Sequence, residues 1–162
     1  MAASIAFRLS GGSANSDHNA SLGGVMSSVA VVADTIFDVV TASEASSGDT
    51  EYRCIYVYNN GDKPLTNVRL WVSDEPTAGV LAVALDGNGL NANAETIANE
   101  NTAPSGETFS TPTTSGAGLL IGNLGVGDRY PIWLRRTINA STPGIALASN
   151  TAQIRVDYEY TP

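Results

Sequence analysis

Little in this sequence is suited to covalent chemistry. Cys54 is the only cysteine, so no disulfide can form within the chain and the fold must hold without one. A lone cysteine in an apolar strand reads as a small buried hydrophobe; as a nucleophile it would want a histidine partner. His18, the only histidine, sits beside Asp17 in a Gly/Ser stretch rather than in the positioned, buried setting a Ser-His-Asp arrangement needs. One His and one Cys 36 positions apart have no metal-ligand spacing. Lys63 is the only lysine, and charged residues make up 15% against a usual share of about 25%. No apolar run approaches the roughly 18 residues of a membrane helix. The first ten residues, M-A-A-S-I-A-F-R-L-S, lack the charged and then apolar segments of a secretory signal. The expectation is therefore a chain made and assembled in a cytosol, with no membrane partner. The glycosylation pattern at Asn19-Ala-Ser21 and Asn139-Ala-Ser141 then carries no meaning.

Other chemical signals fail on spacing. Asp86-Gly-Asn88-Gly-Leu-Asn91 is similar to a calcium loop, but Leu90 stands at loop position 5, where an oxygen ligand belongs, and Ile97 at position 12, where the closing acid belongs. A plain turn is expected. Gly116-x-Gly118-x-x-x-Gly122 has the wrong period for a dinucleotide cradle. The acids form no recognisable catalytic dyad. No enzyme activity, cofactor or metal is expected. A net charge of −8 disfavours general nucleic-acid binding, which needs a basic footprint.

What the chain has is apolar content of 43% set among many Gly, Ser, Thr, Asn and Ala residues. That suits a folded chain of short strands and turns rather than a disordered one. The clearest organisation runs from Glu51 to Ser73, which reads as two strands in a hairpin through Asn59-Asn60-Gly61-Asp62 and Pro64. Tyr52, Cys54, Tyr56 and Tyr58 share one face of the first arm, either a core face or a contact face; Arg53, Ile55 and Val57 share the other. The second arm alternates Val68, Leu70 and Val72 with Asn67, Arg69 and Trp71.

Further strands are predicted at Ile5–Leu9, Ile36–Val40, Val80–Leu85, Thr108–Ser110, Leu119–Ile121, from about Ile132 to Ile138, and Ala152–Tyr160. Ala94–Ala98 fits a strand or one helical turn, Ser43–Ala45 fits a short helical turn, and Pro143-Gly144 fits a turn. The last strand alternates most cleanly, with Ile154, Val156, Tyr158 and Tyr160 opposite Arg155, Asp157 and Glu159. The fold class expected is an all-β antiparallel sandwich of seven to eight strands over residues 35–162, preceded by an extended arm over residues 1–34. From Ser10 to Ser28 the chain has no apolar period. It fits either a flexible tail or an arm laid across a neighbouring subunit, anchored by Leu22, Val25 and Met26. The Arg135-Arg136 pair divides across the two faces of its strand: one side chain is expected outside, the other against a carboxylate, or else at an interface with an acidic neighbour.

Two resemblances add to these patterns. V-Y-N-N-G-D-K-P-L-T-N-V-R-L-W resembles the B-to-C region of immunoglobulin-like domains in bacterial and phage structural proteins. Leu124-Gly-Val-Gly-Asp resembles the approach to strand F in those domains, with Tyr130 in the place of the tyrosine corner, and Cys54 to Trp71 is similar to their Cys…Trp spacing without the second cysteine. F-R-L-S-G-G-x-A-N…A-S-L-G-G-x-x-S-S, with E-Y-R-C-I-Y-V-Y-N and I-W-L-R-R, looks like small virion proteins of tailed bacteriophages. That likeness implies a capsid decoration (cement) protein on the outer head surface. Its partner would be the major capsid protein, its unit a homo-oligomer with a trimer favoured, and its candidate contact residues Leu22, Val25, Met26, Arg135 and Arg136. A tail or baseplate accessory with a carbohydrate- or receptor-binding sandwich is the alternative.

Overall fold

The computed structural model describes residues 2–33, 35–140 and 151–161. The turn expected at Pro143-Gly144 and the end of the Asn139-Ala-Ser141 pattern lie outside these residues. The chain is an all-β antiparallel sandwich, as its alternation predicts. One sheet contains β1 (Ile5–Leu9), β3 (Asp49–Asn59), β8 (Arg129–Ile138) and β5 (Val80–Leu85) in the order β1-β3-β8-β5. The other contains β7 (Leu119–Leu124), β4 (Leu65–Asp74) and β9 (Gln153–Glu159) in the order β7-β4-β9. Between them lies a core of Ile55 and Val57 from β3, Val68, Leu70 and Val72 from β4, Leu81 and Val83 from β5, and Ile132 and Leu134 from β8. These are the inward residues of each period-two pattern.

The Glu51–Ser73 segment departs from the expected hairpin. Its two arms are β3 and β4, and they lie in different sheets. The connection arches from one layer to the other because Asn59 ties it down. The buried Asn59 amide donates to the carbonyls of Lys63 (2.9 Å), Leu124 (3.1 Å) and Gly125 (3.0 Å), and its Oδ1 accepts from Gly61 N at 3.1 Å. An Asx turn with three carbonyl acceptors thus replaces the cross-strand ladder of a hairpin.

The tyrosine face of β3 is a second core. Cys54, Tyr56, Ala84, Ala94, Ile97 and Trp133 pack together on the outer side of the four-stranded sheet, joined by Leu22, Met26, Tyr52 and Phe109. A third layer covers them, built on a minimal ladder of β2 (Gly23–Gly24) with β6 (Ala94–Thr96). Burial on both faces makes the middle of β3 and of β8 continuously inaccessible. Cys54 therefore belongs to the outer core, while Trp71 lies half-buried on the outer face of the other sheet. The immunoglobulin-like Cys…Trp pairing is not formed.

The segment expected as an arm is part of this body. β1 pairs antiparallel with β3 from Ile5↔Asn59 to Leu9↔Ile55. Beyond it, buried Ser10 and Ser21 both donate to the Cys54 carbonyl, at 2.8 and 2.6 Å, and Cys54 N donates to Ser21 O at 2.8 Å. Small residues let this backbone approach closely: a Cβ on Gly23, at φ +95°, would stand 1.6 Å from the Glu95 carbonyl.

The strand expected at Ile36–Val40 is irregular instead. Ile36 and Phe37 still pack on the inter-sheet core, but the Asp38 carbonyl is taken by Arg136 at 2.6 Å rather than by a neighbouring strand. A capping box between Thr41 and Glu44 then starts α1 (Ala42–Ser47), at the predicted helical turn.

Candidate interaction surface

Three buried polar centres fix the outward surfaces. The first holds the 36–40 segment. Arg136 Nε donates to Glu51 Oε2 at 2.6 Å and its Nη2 to Asp38 Oδ1 at 3.0 Å, with the guanidinium 4.9 Å from the centre of the Phe37 ring. Nη2 also pairs with Glu51, and the Glu51 side chain is 2% exposed. Burial pushes the Glu51 carboxyl up to about 7, against the opposing pull of Arg136. Below this centre a groove of about 540 Å³ opens between the layers, lined by Phe7, Ile36, Phe37, Leu81, Leu134 and Ile154. Val32 and Val39 stand exposed at its mouth.

The second centre is Asp86, at the start of the turn expected over residues 86–91. Its side chain is buried; Oδ2 accepts from Trp133 Nε1 at 2.9 Å and from Glu95 N at 3.1 Å, and Oδ1 accepts from Asn88 N at 2.9 Å. These donors occupy both carboxylate oxygens in a turn. No group of three or more metal-ligating side chains forms among the described residues.

The third centre is Tyr56. Its hydroxyl donates to Gly24 O at 2.5 Å and accepts from Ala94 N at 2.8 Å, so it clasps β2 and β6 from beneath. Burial lifts this phenol to about 12. The Cys54 thiol beside it is fully buried and pushed well above its ordinary value, which makes it a poor nucleophile.

The five candidate contact residues divide. Leu22 and Met26 turn inward onto the outer core, while Val25 between them is 44% exposed. Arg135 lies on the same side of the four-stranded sheet, half-buried and 4.9 Å from the Phe109 ring centre. Arg136 is on the opposite face, engaged by Glu51 and Asp38. Asp86 and Asn59 were missed as organising residues. An Asp or Asn that follows an apolar strand and precedes a glycine-rich turn is the signal that could have found them. No family model, curated protein or solved structure matches this chain.

Proposed function

We propose that this chain is a non-enzymatic structural component of a bacteriophage particle, a capsid decoration protein that binds the major capsid protein on the outer head surface. The observation that carries the proposal is the disposition of polar and apolar side chains. Asp86, Glu51, Arg136, Tyr56 and Cys54 are spent within the fold, while Val25, Val32, Val39 and Leu120 face outward on a chain tied together by buried hydrogen bonds. A body of this kind suits binding better than turnover. The resemblance of the F-R-L-S-G-G and E-Y-R-C-I-Y-V-Y-N segments to small virion proteins supplies the class of particle. With A-S-L-G-G-x-x-S-S and I-W-L-R-R, the segments that carry the likeness fall in β1, around β2, in β3 and in β8. Binding the assembled shell and not free subunits would stabilise it by mass action. The contact side favoured here is the three-layered one, presenting Val25 and Arg135.

The alternative, a carbohydrate- or receptor-binding accessory of a tail or baseplate, is favoured only by Trp71. Its indole lies on the outer face of β4 with Asp157 accepting its N–H at 3.1 Å and Arg155 5.9 Å from the ring centre. Particles made with and without the protein separate the two. Loss of head resistance to heat with normal host attachment is the expected result; intact heads with impaired attachment would reject decoration in favour of the alternative.

A further inference from the structure

The sandwich has four edge strands, and the chain treats them differently. The outer edge of β1 is covered by its own segment, with Leu9 N donating to Val29 O at 3.1 Å and Val31 N to Phe7 O at 2.9 Å. β5 exchanges two backbone hydrogen bonds with Ser110, at 2.8 and 3.0 Å. β7 is interrupted by Gly122 at φ +100° and pairs with β4 through register shifts. β9 has no bulge of its own over its seven residues, since the register shifts against β4 add residues only on the β4 side. Among the described residues, no strand lies on its outer edge.

The direction of the β9 backbone follows from two contacts. The carbonyls of Gln153 and Glu159 face β4, where they accept the hydroxyls of Ser73 and Thr66, each at 3.4 Å. Period-two alternation turns the N–H and C=O groups of Ile154, Val156 and Tyr158 to the open side. Their side chains are half-buried and border a shallow recess of about 380 Å³ shared with Ile5 and Phe7.

The sequence of β9, Q-I-R-V-D-Y-E, is self-complementary about Val156. In an antiparallel pair of two copies centred there, Arg155 stands opposite Asp157 twice, Ile154 opposite Tyr158 twice, Gln153 opposite Glu159 twice, and Val156 opposite itself. Centring on Arg155 sets two arginines face to face. Centring on Asp157 sets two aspartates face to face. A one-residue slip sends the apolar row to the wrong face. Like charges directly opposite oppose pairing and unlike charges favour it, so the charges select a single register. In that register the outward groups of Ile154, Val156 and Tyr158 form the hydrogen-bonded pairs. Arg155 and Asp157 then fall at the closer, non-hydrogen-bonded positions. The Trp71 indole already holds Asp157 at 3.1 Å, on the face where Arg155 of the second copy would meet it.

We propose that two copies of this chain associate across a two-fold axis through β9, joining two three-stranded sheets into one six-stranded sheet, β7-β4-β9-β9-β4-β7. The interface is isologous and closes on itself, which protects an otherwise open edge from indefinite pairing. It makes the solution unit a dimer rather than the trimer expected from the family resemblance, and it does not depend on which particle the protein serves.

Sedimentation equilibrium or light scattering on the full chain at about 100 μM tests this, because dimer population follows concentration. Wild type should be dimeric. R155D sets two carboxylates against each other at both symmetric positions, one of them Asp157, and should raise the dimer dissociation constant roughly thirty-fold or more. R155D/D157R restores opposite charges in the same register and should recover the dimer. Far-UV circular dichroism and melting temperature identify folded variants. A monomeric or trimeric wild type, an R155D protein that dimerises like wild type, or a folded double variant that stays monomeric would each overturn the proposal.

Discussion

Replacing Arg136 with Met removes the cation that anchors the 36–40 segment while keeping a long apolar side chain over Phe37. Four interactions are lost: the pairing with Glu51, the 2.6 Å bond to the Asp38 carbonyl, the 3.0 Å bond to the Asp38 carboxylate and the cation–ring contact with Phe37. Breaking a buried pair from one side costs roughly 3–5 kcal/mol, mostly because the other charge is left without a partner. Here the size of that penalty depends on pH. Glu51 already titrates at about 7 against Arg136, so without the arginine its carboxyl shifts higher still. At pH 8 the variant must hold a buried carboxylate without its partner or take up a proton against the solution, and the full cost applies. At pH 5.5 Glu51 keeps its proton, and the loss falls to roughly 1–3 kcal/mol, the value of a few hydrogen bonds. For a chain of 162 residues, the larger figure lowers Tm by about 6–20 °C. Urea unfolding followed by tryptophan fluorescence at both pH values measures the difference. A loss below about 1 kcal/mol at pH 8, or an equal loss at both pH values, would refute the assignment of Arg136 as the counter-ion that anchors this segment.

Three further outcomes rest on the same buried groups and close contacts. Wild-type stability should fall as pH rises from 4.5 to about 7, because over that window the folded Glu51 holds a proton that the unfolded chain has released; the Glu51 contribution is at most roughly 3 kcal/mol, and E51Q should flatten the curve. Burial also raises the carboxyls of Asp49 and Glu107, so a shallow slope of the same sign should persist in E51Q, and a slope of opposite sign in wild type would contradict this. D86A strands the Trp133 indole N–H and the Glu95 amide and should cost roughly 2–5 kcal/mol in chemical denaturation, with D86N, which keeps one acceptor oxygen, losing less. G23A drives a methyl into the Glu95 carbonyl and should open the β2–β6 ladder, read as faster amide exchange at Ile97 than at Val57 relative to wild type.

The strands were legible because period-two alternation survives wherever one face is a core. β9 shows it in full, β4 follows it from Val68 to Val72, and β8 follows it from Ile132 to Arg136. The sheet to which each strand belongs was not legible. The Asn59-Asn60-Gly61-Asp62 stretch has the composition of a hairpin turn, and the bonds that make it an arch run to Leu124 and Gly125, far along the chain. The Ser10–Ser28 segment has the sequence of a tail or arm for a related reason. Buried serines that bond to a distant backbone leave no hydrophobic period, so the third layer carries no local signature. The tyrosine row of β3 left a core face and a contact face open, and Trp133 and Ile97 settle it as a second core. Of the candidate contact residues, the alternation of β8 correctly divided Arg135 from Arg136 and anticipated a carboxylate beside one of them. Which side chains meet a partner depends on a surface this chain does not contain.

The proposed place of the protein in the shell of a phage particle is open to an add-back binding experiment. Heads assembled without the protein are mixed with increasing amounts of the purified chain, sedimented, and assayed for bound protein and for the temperature of genome release. Saturable co-sedimentation is expected, with a release temperature that climbs with occupancy. A chain that stays in the supernatant at every concentration, or binds without raising the release temperature, would contradict it.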